Sequence, residues 1–380
     1  MPLDKIKVCH VVTTLGVGGM ENGIVNLCNG LNLAKFNPMI CCLNSKGPMY
    51  SRLRSEVQIF DMGLPNVGRI SNIAHVASFF KRTSPHIVHT HAWGGGSLYG
   101  ILGARLAKVP IIINGEHGSF FANKYQILTQ RFLFYLCSAN LAVSESLKYK
   151  VNEVLSVPKD RITVIKNGVD TDLFSGKYSR QDIFRKLRNE GFPFDGDLFY
   201  IISVGSLKPE KSQMTLLKAV KNSTIRNNNV PVKILFVGDG PDRSLLSSFI
   251  VDNGLEGMVF ILGNRSDVPE LLSAADLMVS TSISRHEGLS NVLLEAMSSG
   301  VPVIATKSIG SDELIKDNIN GYLINEYDAS DLTKKIIYLI ENPHERKRLS
   351  HNARSIINDN FTLDKMVDNY QKLYTRLLSR

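Results

Sequence analysis

No stretch of the 380-residue chain approaches the ~18 consecutive apolar residues of a membrane-spanning helix, so a transmembrane segment is not expected. Cysteine is scarce and odd in number: Cys9, Cys28, Cys41, Cys42 and Cys137, four of them in apolar segments. That usage fits buried, reduced thiols of a cytosolic protein rather than a disulfide framework or a zinc site. The opening MPLDKIKVCHVV lacks a secretory cleavage pattern and runs straight into a strand. Nucleic-acid signatures, solenoid-period repeats and low-complexity tails are missing as well. Acid is in the minority, 35 Asp+Glu against 44 Lys+Arg, for a net charge of +9. Such a balance fits solubility and a cationic, phosphate-facing surface. A peripheral contact with the anionic inner face of a membrane is a further expectation.

What is present is a real core, at 43% hydrophobic residues, in a chain long enough for two domains. Short apolar runs alternate with helical periodicity: Ile6–Val12, Met39–Leu43, Val57–Phe60, Ile87–Val88, Ile111–Ile113, Leu141–Val143 and Ile162–Ile165. That alternation implies parallel strands joined by right-handed helical crossovers, with ligands gathering beyond the strands' carboxyl ends. The first strand enters Gly16-Val17-Gly18-Gly19-Met20-Glu21, a glycine turn able to approach phosphate. As a dinucleotide fingerprint it is poor, because it is not GxGxxG and no acid clearly closes the next strand. His91 and His117 fall at strand ends beside glycines, in VHTH and GEHG. A metal reading of His89, His91 and His117 is weak for want of a carboxylate or thiolate ligand.

The second half repeats the pattern. Tyr200–Val204 leads into GSLKPEKS, where Lys208 and Lys211 precede a helix and can act as point charges on a phosphate. Gly176–Gly196, charged, with a Lys/Arg-rich helix and Pro193, reads as an interdomain connection. The most informative stretch is HEGLSNVLLEAMSSGVPVIAT, His286 to Thr306. Glu287 and Glu295 flank a loop, an N-cap candidate at Ser290 and a short helix that stops near Gly300 before a buried strand. Backbone amides near Leu289 to Asn291 can hold a diphosphate, and a carboxylate one turn on can accept from ribose hydroxyls.

That stretch resembles the EX7E motif of retaining glycosyltransferases with the GT-B fold, family 4. The resemblance extends to GGxE, to NGVD at residues 167–170 and to the lysine segment. It implies two Rossmann-like α/β domains facing across a cleft, residues 1–175 and 176–362, with the helix 363–380 crossing back to the first. It implies Glu295 on the ribose, Glu287 and His117 at the transferred sugar, and His91 and Glu21 in the cleft. Donor contacts fall to Gly18, Gly19, Ser206, Lys208, Lys211, Arg265, Gly288, Leu289 and Ser290. Ser206 stands where the family commonly has arginine, so Lys208 supplies the second charge or the diphosphate has one fewer. Arg265 would stack on the base, bind through its backbone, or face solvent. DTD at Asp170–Asp172 looks like a metal clamp but lies in the NGVD segment, and no metal or other cofactor is expected. The implied activity is retaining transfer from a nucleoside diphosphate sugar, UDP in preference to GDP, to a glycan or lipid-linked acceptor governed by loops such as 66–73 and 120–126. The implied location is cytoplasmic, peripheral at the inner membrane face. A sugar-nucleotide 2-epimerase and a non-catalytic nucleotide-sugar binder are the alternatives.

Overall fold

Strand β1, Ile6–Thr14, is buried through its centre and lies in the middle of a parallel sheet. In this computed structural model, residues 5–64, 70–91, 95–118, 123–194, 198–221, 225, 230–283 and 288–379 are described. The other strands of the first sheet are β2 (Phe36–Ser45), β3 (Gln58–Asp61), β4 (Ile87–His91), β5 (Ile111–Glu116), β6 (Ala139–Ala142) and β7 (Ile162–Val164). Among the described residues their order is β3-β2-β1-β4-β5-β6-β7. The order reverses at β1, between β2 and β4, and this is where a doubly wound sheet opens a crevice beyond its strand ends.

A second parallel sheet holds β8 (Phe199–Val204), β9 (Val232–Val237), β10 (Val259–Gly263), β11 (Leu277–Ser280), β12 (Val303–Thr306) and β13 (Tyr322–Ile324). Its order is β10-β9-β8-β11-β12-β13, reversing at β8. The strand runs are apolar on both faces, as sheets covered by helices on both sides require. All five cysteines are free and buried, and burial pushes their thiols up, Cys42 and Cys137 to about 12. They are therefore poor nucleophiles and packing residues.

The chain forms two compact units, Met1–Gly168 with Leu363–Arg380, and Val169–Thr362. The first division comes earlier than residue 175 because the following residues are tied to the second unit. Val169 N donates to Phe361 O at 2.8 Å, and Arg354 Nη2 donates to Ser175 O at 3.1 Å. Asp170 Oδ1 accepts from the backbone N–H groups of Asp172 and Leu173, at 3.1 and 2.9 Å, which makes it a turn-forming carboxylate.

The segment expected to be a connection is instead part of the second unit's core. Its helix Arg180–Asn189 buries Ile183, Phe184 and Leu187. Arg180 forms a two-pronged bond to Asp276, at 2.8 and 2.9 Å, and Phe184 packs on Tyr200 with centroids 4.5 Å apart. The expected Lys/Arg-rich helix is thus amphipathic, with its charge on the outer face and an apolar face in the core. The helix Leu363–Leu378 buries Met366, Val367, Tyr370, Leu373, Tyr374 and Leu377 in the core that includes Val8, Ile87 and Ile113 of the first unit. At ~1.5–3 kcal/mol for each such side chain, that face fixes the helix on the first sheet.

Candidate functional site

The carboxyl ends of the second sheet are built from loops packed backbone to backbone. Gly238 sits at φ +141°, and a Cβ there would collide with the Gly205 carbonyl. Gly310 sits at φ +82°, and a Cβ there would collide with the Gly288 carbonyl. Only glycine satisfies both demands, left-handed backbone and contact with a neighbouring chain. The loop after β8 is thereby held against that after β9, and the loop after β11 against that after β12.

Lys211 is positioned by this packing. It ends a 3₁₀ turn, Pro209–Lys211, followed by Ser212 in the left-handed region. Thr281 Oγ1 donates to the carbonyls of Lys211 and Ser212, both at 2.9 Å, and Ile283 N donates to Glu210 O at 2.9 Å. Gln213 Nε2 donates to Ser206 O at 2.9 Å and closes the loop from its other end. The lysine loop is thus bolted to the residues after β11. Lys208 is exposed and Lys211 half-buried.

The helix predicted from the acidic motif spans Asn291–Ser299, with Gly300 ending it in the left-handed conformation. Ser290 is the N-cap residue, but its side chain makes no capping bond. Its hydroxyl is buried and finds no partner among the described residues. A buried hydroxyl at a helix N-terminus is a donor for an anion brought there. Glu295 lies half-buried in the second turn. Glu287 lies outside the described residues, as do the loop positions 66–69 and 120–122.

Arg265 does not join this group. It follows β10, at the sheet edge, and its side chain is 14% exposed. The guanidinium grips Asp267 through two bonds, at 2.8 and 2.7 Å, and Glu190 through two more. Asp267 also accepts from Lys186 at 2.6 Å. Burial would raise the Asp267 carboxyl, but Arg265 and Lys186 outweigh it and hold it at about 2. Two acids thus hold the guanidinium in place through its N–H groups.

In the first unit the expected residues gather at β1, β4 and β5, which are neighbours in the sheet. Gly18 is the N-cap of the helix Gly19–Gly30, and the Glu21 carboxylate folds back against it. His91 and His117 are joined to a residue that sequence reasoning missed, His10. His10 Nδ1 lies 2.9 Å from His91 Nε2, and His91 Nδ1 lies 3.0 Å from His117 Nε2. Beside this chain, His89 Nδ1 meets the Tyr374 hydroxyl at 2.9 Å. The signal for His10 was a lone histidine in an apolar strand, and its register partner on β4 is His89.

Burial lowers all four imidazoles, His10 to about 3 and His117 to about 4, with His89 and His91 well below the usual range. The four rings are accordingly neutral at pH 7, each with one N–H. Nε2 of His10 and of His89 finds no partner among the described residues. A stranded acceptor is cheaper than a stranded N–H, which places the proton on Nδ1 of both. His10 then donates to His91, His91 to His117, and His117 keeps an Nδ1–H donor. Nitrogens of His10, His89 and His91 lie within 4.8 Å of one another, near enough to meet on a metal ion. Their shortest approach is an ordinary imidazole–imidazole hydrogen bond, and no carboxylate or thiolate belongs to the group.

Residues 184–356 match the family model for glycosyl transferases group 1, and residues 17–173 match that for glycosyltransferase family 4. The chain belongs to this family. The family 4 enzyme is 28% identical over 386 residues to an Escherichia coli UDP-Gal:alpha-D-GlcNAc-diphosphoundecaprenol alpha-1,3-galactosyltransferase, covering 98% of this chain and 97% of that one. Among solved structures it resembles a glycosyltransferase of Rickettsia africae, with a TM-score of 0.83 and 22% identity over 99% of both chains. It also resembles Anabaena HepE in complex with UDP and glucose, with a TM-score of 0.83 and 21% identity over 98% of this chain and 100% of that one. The architecture of this glycosyltransferase is GT-B.

Proposed function

We propose that the enzyme transfers a hexosyl unit from a UDP-sugar to a hydroxyl of a lipid-linked glycan. The proposed transfer retains the anomeric configuration, needs no metal, and occurs at the cytoplasmic face of a membrane during bacterial glycan synthesis. The observation that carries this reading is the end-to-end match to a galactosyltransferase named for a UDP-Gal donor and a diphosphoundecaprenol-linked acceptor. The likeness to a structure holding UDP and glucose supports the choice of nucleotide.

In this reading the bond from the anomeric carbon to the diphosphate oxygen breaks, and the acceptor oxygen bonds to the same face of that carbon. The acceptor proton passes to the departing phosphate oxygen. Lys211 and the N-terminus of the helix Asn291–Ser299 meet the charge that grows on the diphosphate, an electrostatic contribution that often dominates catalysis. Glu295 accepts from the ribose hydroxyls, Glu287 from the sugar, and neutral His117 donates from Nδ1 to a sugar oxygen. Gly18, Gly19, Gly288 and Leu289 contribute backbone contacts to the donor, and Glu21 and His91 shape the acceptor side.

A panel of nucleotide sugars tests the proposal by thermal unfolding. A ligand bound only by the native state at 100 times its Kd adds ~2.7 kcal/mol. UDP-sugars are expected to raise the melting temperature more than their GDP counterparts, and transfer is expected to proceed undiminished in EDTA. A flat panel would contradict the donor assignment, and activity lost to EDTA and restored by magnesium would contradict metal independence.

A further inference from the structure

The helix Lys124–Leu136 of the first unit shows an apolar stripe to solvent. Tyr125 is 81% exposed, Leu128 62%, Phe132 59% and Tyr135 44%. At 100° per residue these four side chains fall within an arc of about 80°. The opposite face carries the buried Gln130, Leu133 and Phe134. A surface helix of a soluble domain normally turns polar residues outward, so this one has two apolar faces, and only one is covered.

The stripe is framed by positive charge. KYQILTQRFLFYL contains no Asp or Glu, and neither Lys124 nor Arg131 forms an ion pair among the described residues. The Arg161 guanidinium stands over the Tyr135 ring at 5.4 Å. On the neighbouring helix Glu145–Leu155, the 55% exposed Tyr149 lies under Lys159 Nζ at 4.0 Å. Tyrosines with an apolar ring and a polar tip, leucine and phenylalanine between them, and cations alongside match the physical layering of a bilayer interface.

We infer that this face docks the enzyme on an anionic lipid bilayer. The stripe enters the boundary between headgroups and acyl chains, while Lys124, Arg131 and Arg161 meet lipid phosphates. A second copy of the chain is a poorer occupant: packing the helix on itself would bring like charges together with no acid on it to pair with them. The inference deepens the proposed reading, which puts the acceptor on a lipid. Docking on the bilayer places the enzyme where such an acceptor is.

Flotation of the full chain with acceptor-free vesicles tests it, using phosphatidylglycerol–phosphatidylcholine against phosphatidylcholine alone. Binding to the anionic vesicles is expected, weakening as salt rises. The triple variant Tyr125→Ser, Leu128→Gln, Phe132→Gln is expected to lose roughly tenfold or more in vesicle affinity, and Lys124→Glu with Arg131→Glu a similar factor at low salt. These side chains are exposed, so both variants should keep the parental melting temperature and UDP affinity. Failure of the parent chain to float with anionic vesicles, or an unchanged triple variant, would overturn the inference. So would a parental dimer in sedimentation that the triple variant turns to monomer without any vesicle binding. UDP binding is read in the same samples, so loss of the donor reading would appear separately.

Discussion

Lys211→Ala is expected to cut the rate of sugar transfer ~10²–10³-fold, the scale of losing one preorganised electrostatic donor at a developing charge. The fall should lie mainly in kcat, because the diphosphate gains its full charge only as the glycosidic bond breaks. Fold damage is not the expected cause. The loop is held through the carbonyls of Lys211 and Ser212 on Thr281, and the substitution leaves both bonds in place. Lys211→Arg should recover part of the loss, since it restores charge with a different shape. Lys208→Ala, at an exposed position, should cost much less. Initial rates at saturating donor check this. A Lys211→Ala enzyme within twofold of the parent would remove the lysine from the donor site.

Acid is expected to unfold the first unit well before the second. His10, His89 and His91 are buried and neutral in the native state, with burial as the principal cause of their depressed basicity. In the unfolded chain each titrates near pH 6.5. Below that pH the unfolded state binds more protons than the native state, so stability falls as pH falls. The loss continues down to the native values, about 3 for His10. Each histidine contributes a slope of up to ~1.4 kcal/mol per pH unit, so the three together approach ~4 kcal/mol per unit. Half-buried His117 adds a smaller share. Hydrogen exchange between pH 7.5 and 5 checks the expectation: amides of β1 and β4 should lose protection while those of β8 and β9 keep theirs. Equal loss in both sheets would show that the histidine cluster does not set acid stability.

Much of this arrangement was legible because strand and helix periods differ. The runs at Ile6–Val12 and Tyr200–Val204 announced central parallel strands, and Gly300 announced the end of the helix carrying Glu295. The helix Arg180–Asn189 reads as a connection because its charges are contiguous in sequence, while Ile183, Phe184 and Leu187 share a face only once coiled. The ion pairs of Arg265 were not legible for a related reason: Glu190 lies 75 residues away in the chain, and no local pattern foretells that pairing. His10 was passed over because strand alternation gives its face but not its neighbours. His91 and Tyr374 become its surroundings only when β4 and the last helix pack against β1. The stripe Tyr125–Tyr135 was not legible, since a sequence does not reveal which of two apolar faces the fold covers.

The placement of the donor nucleotide is tested most directly by amide hydrogen exchange of the full chain with and without UDP. Amides at Gly288–Asn291 and Gly205–Ser212 are expected to gain protection, the first from contact with the diphosphate and the second from the loop carrying Lys211. Protection appearing only in the first unit, or UDP binding that leaves both segments unchanged, would contradict the site.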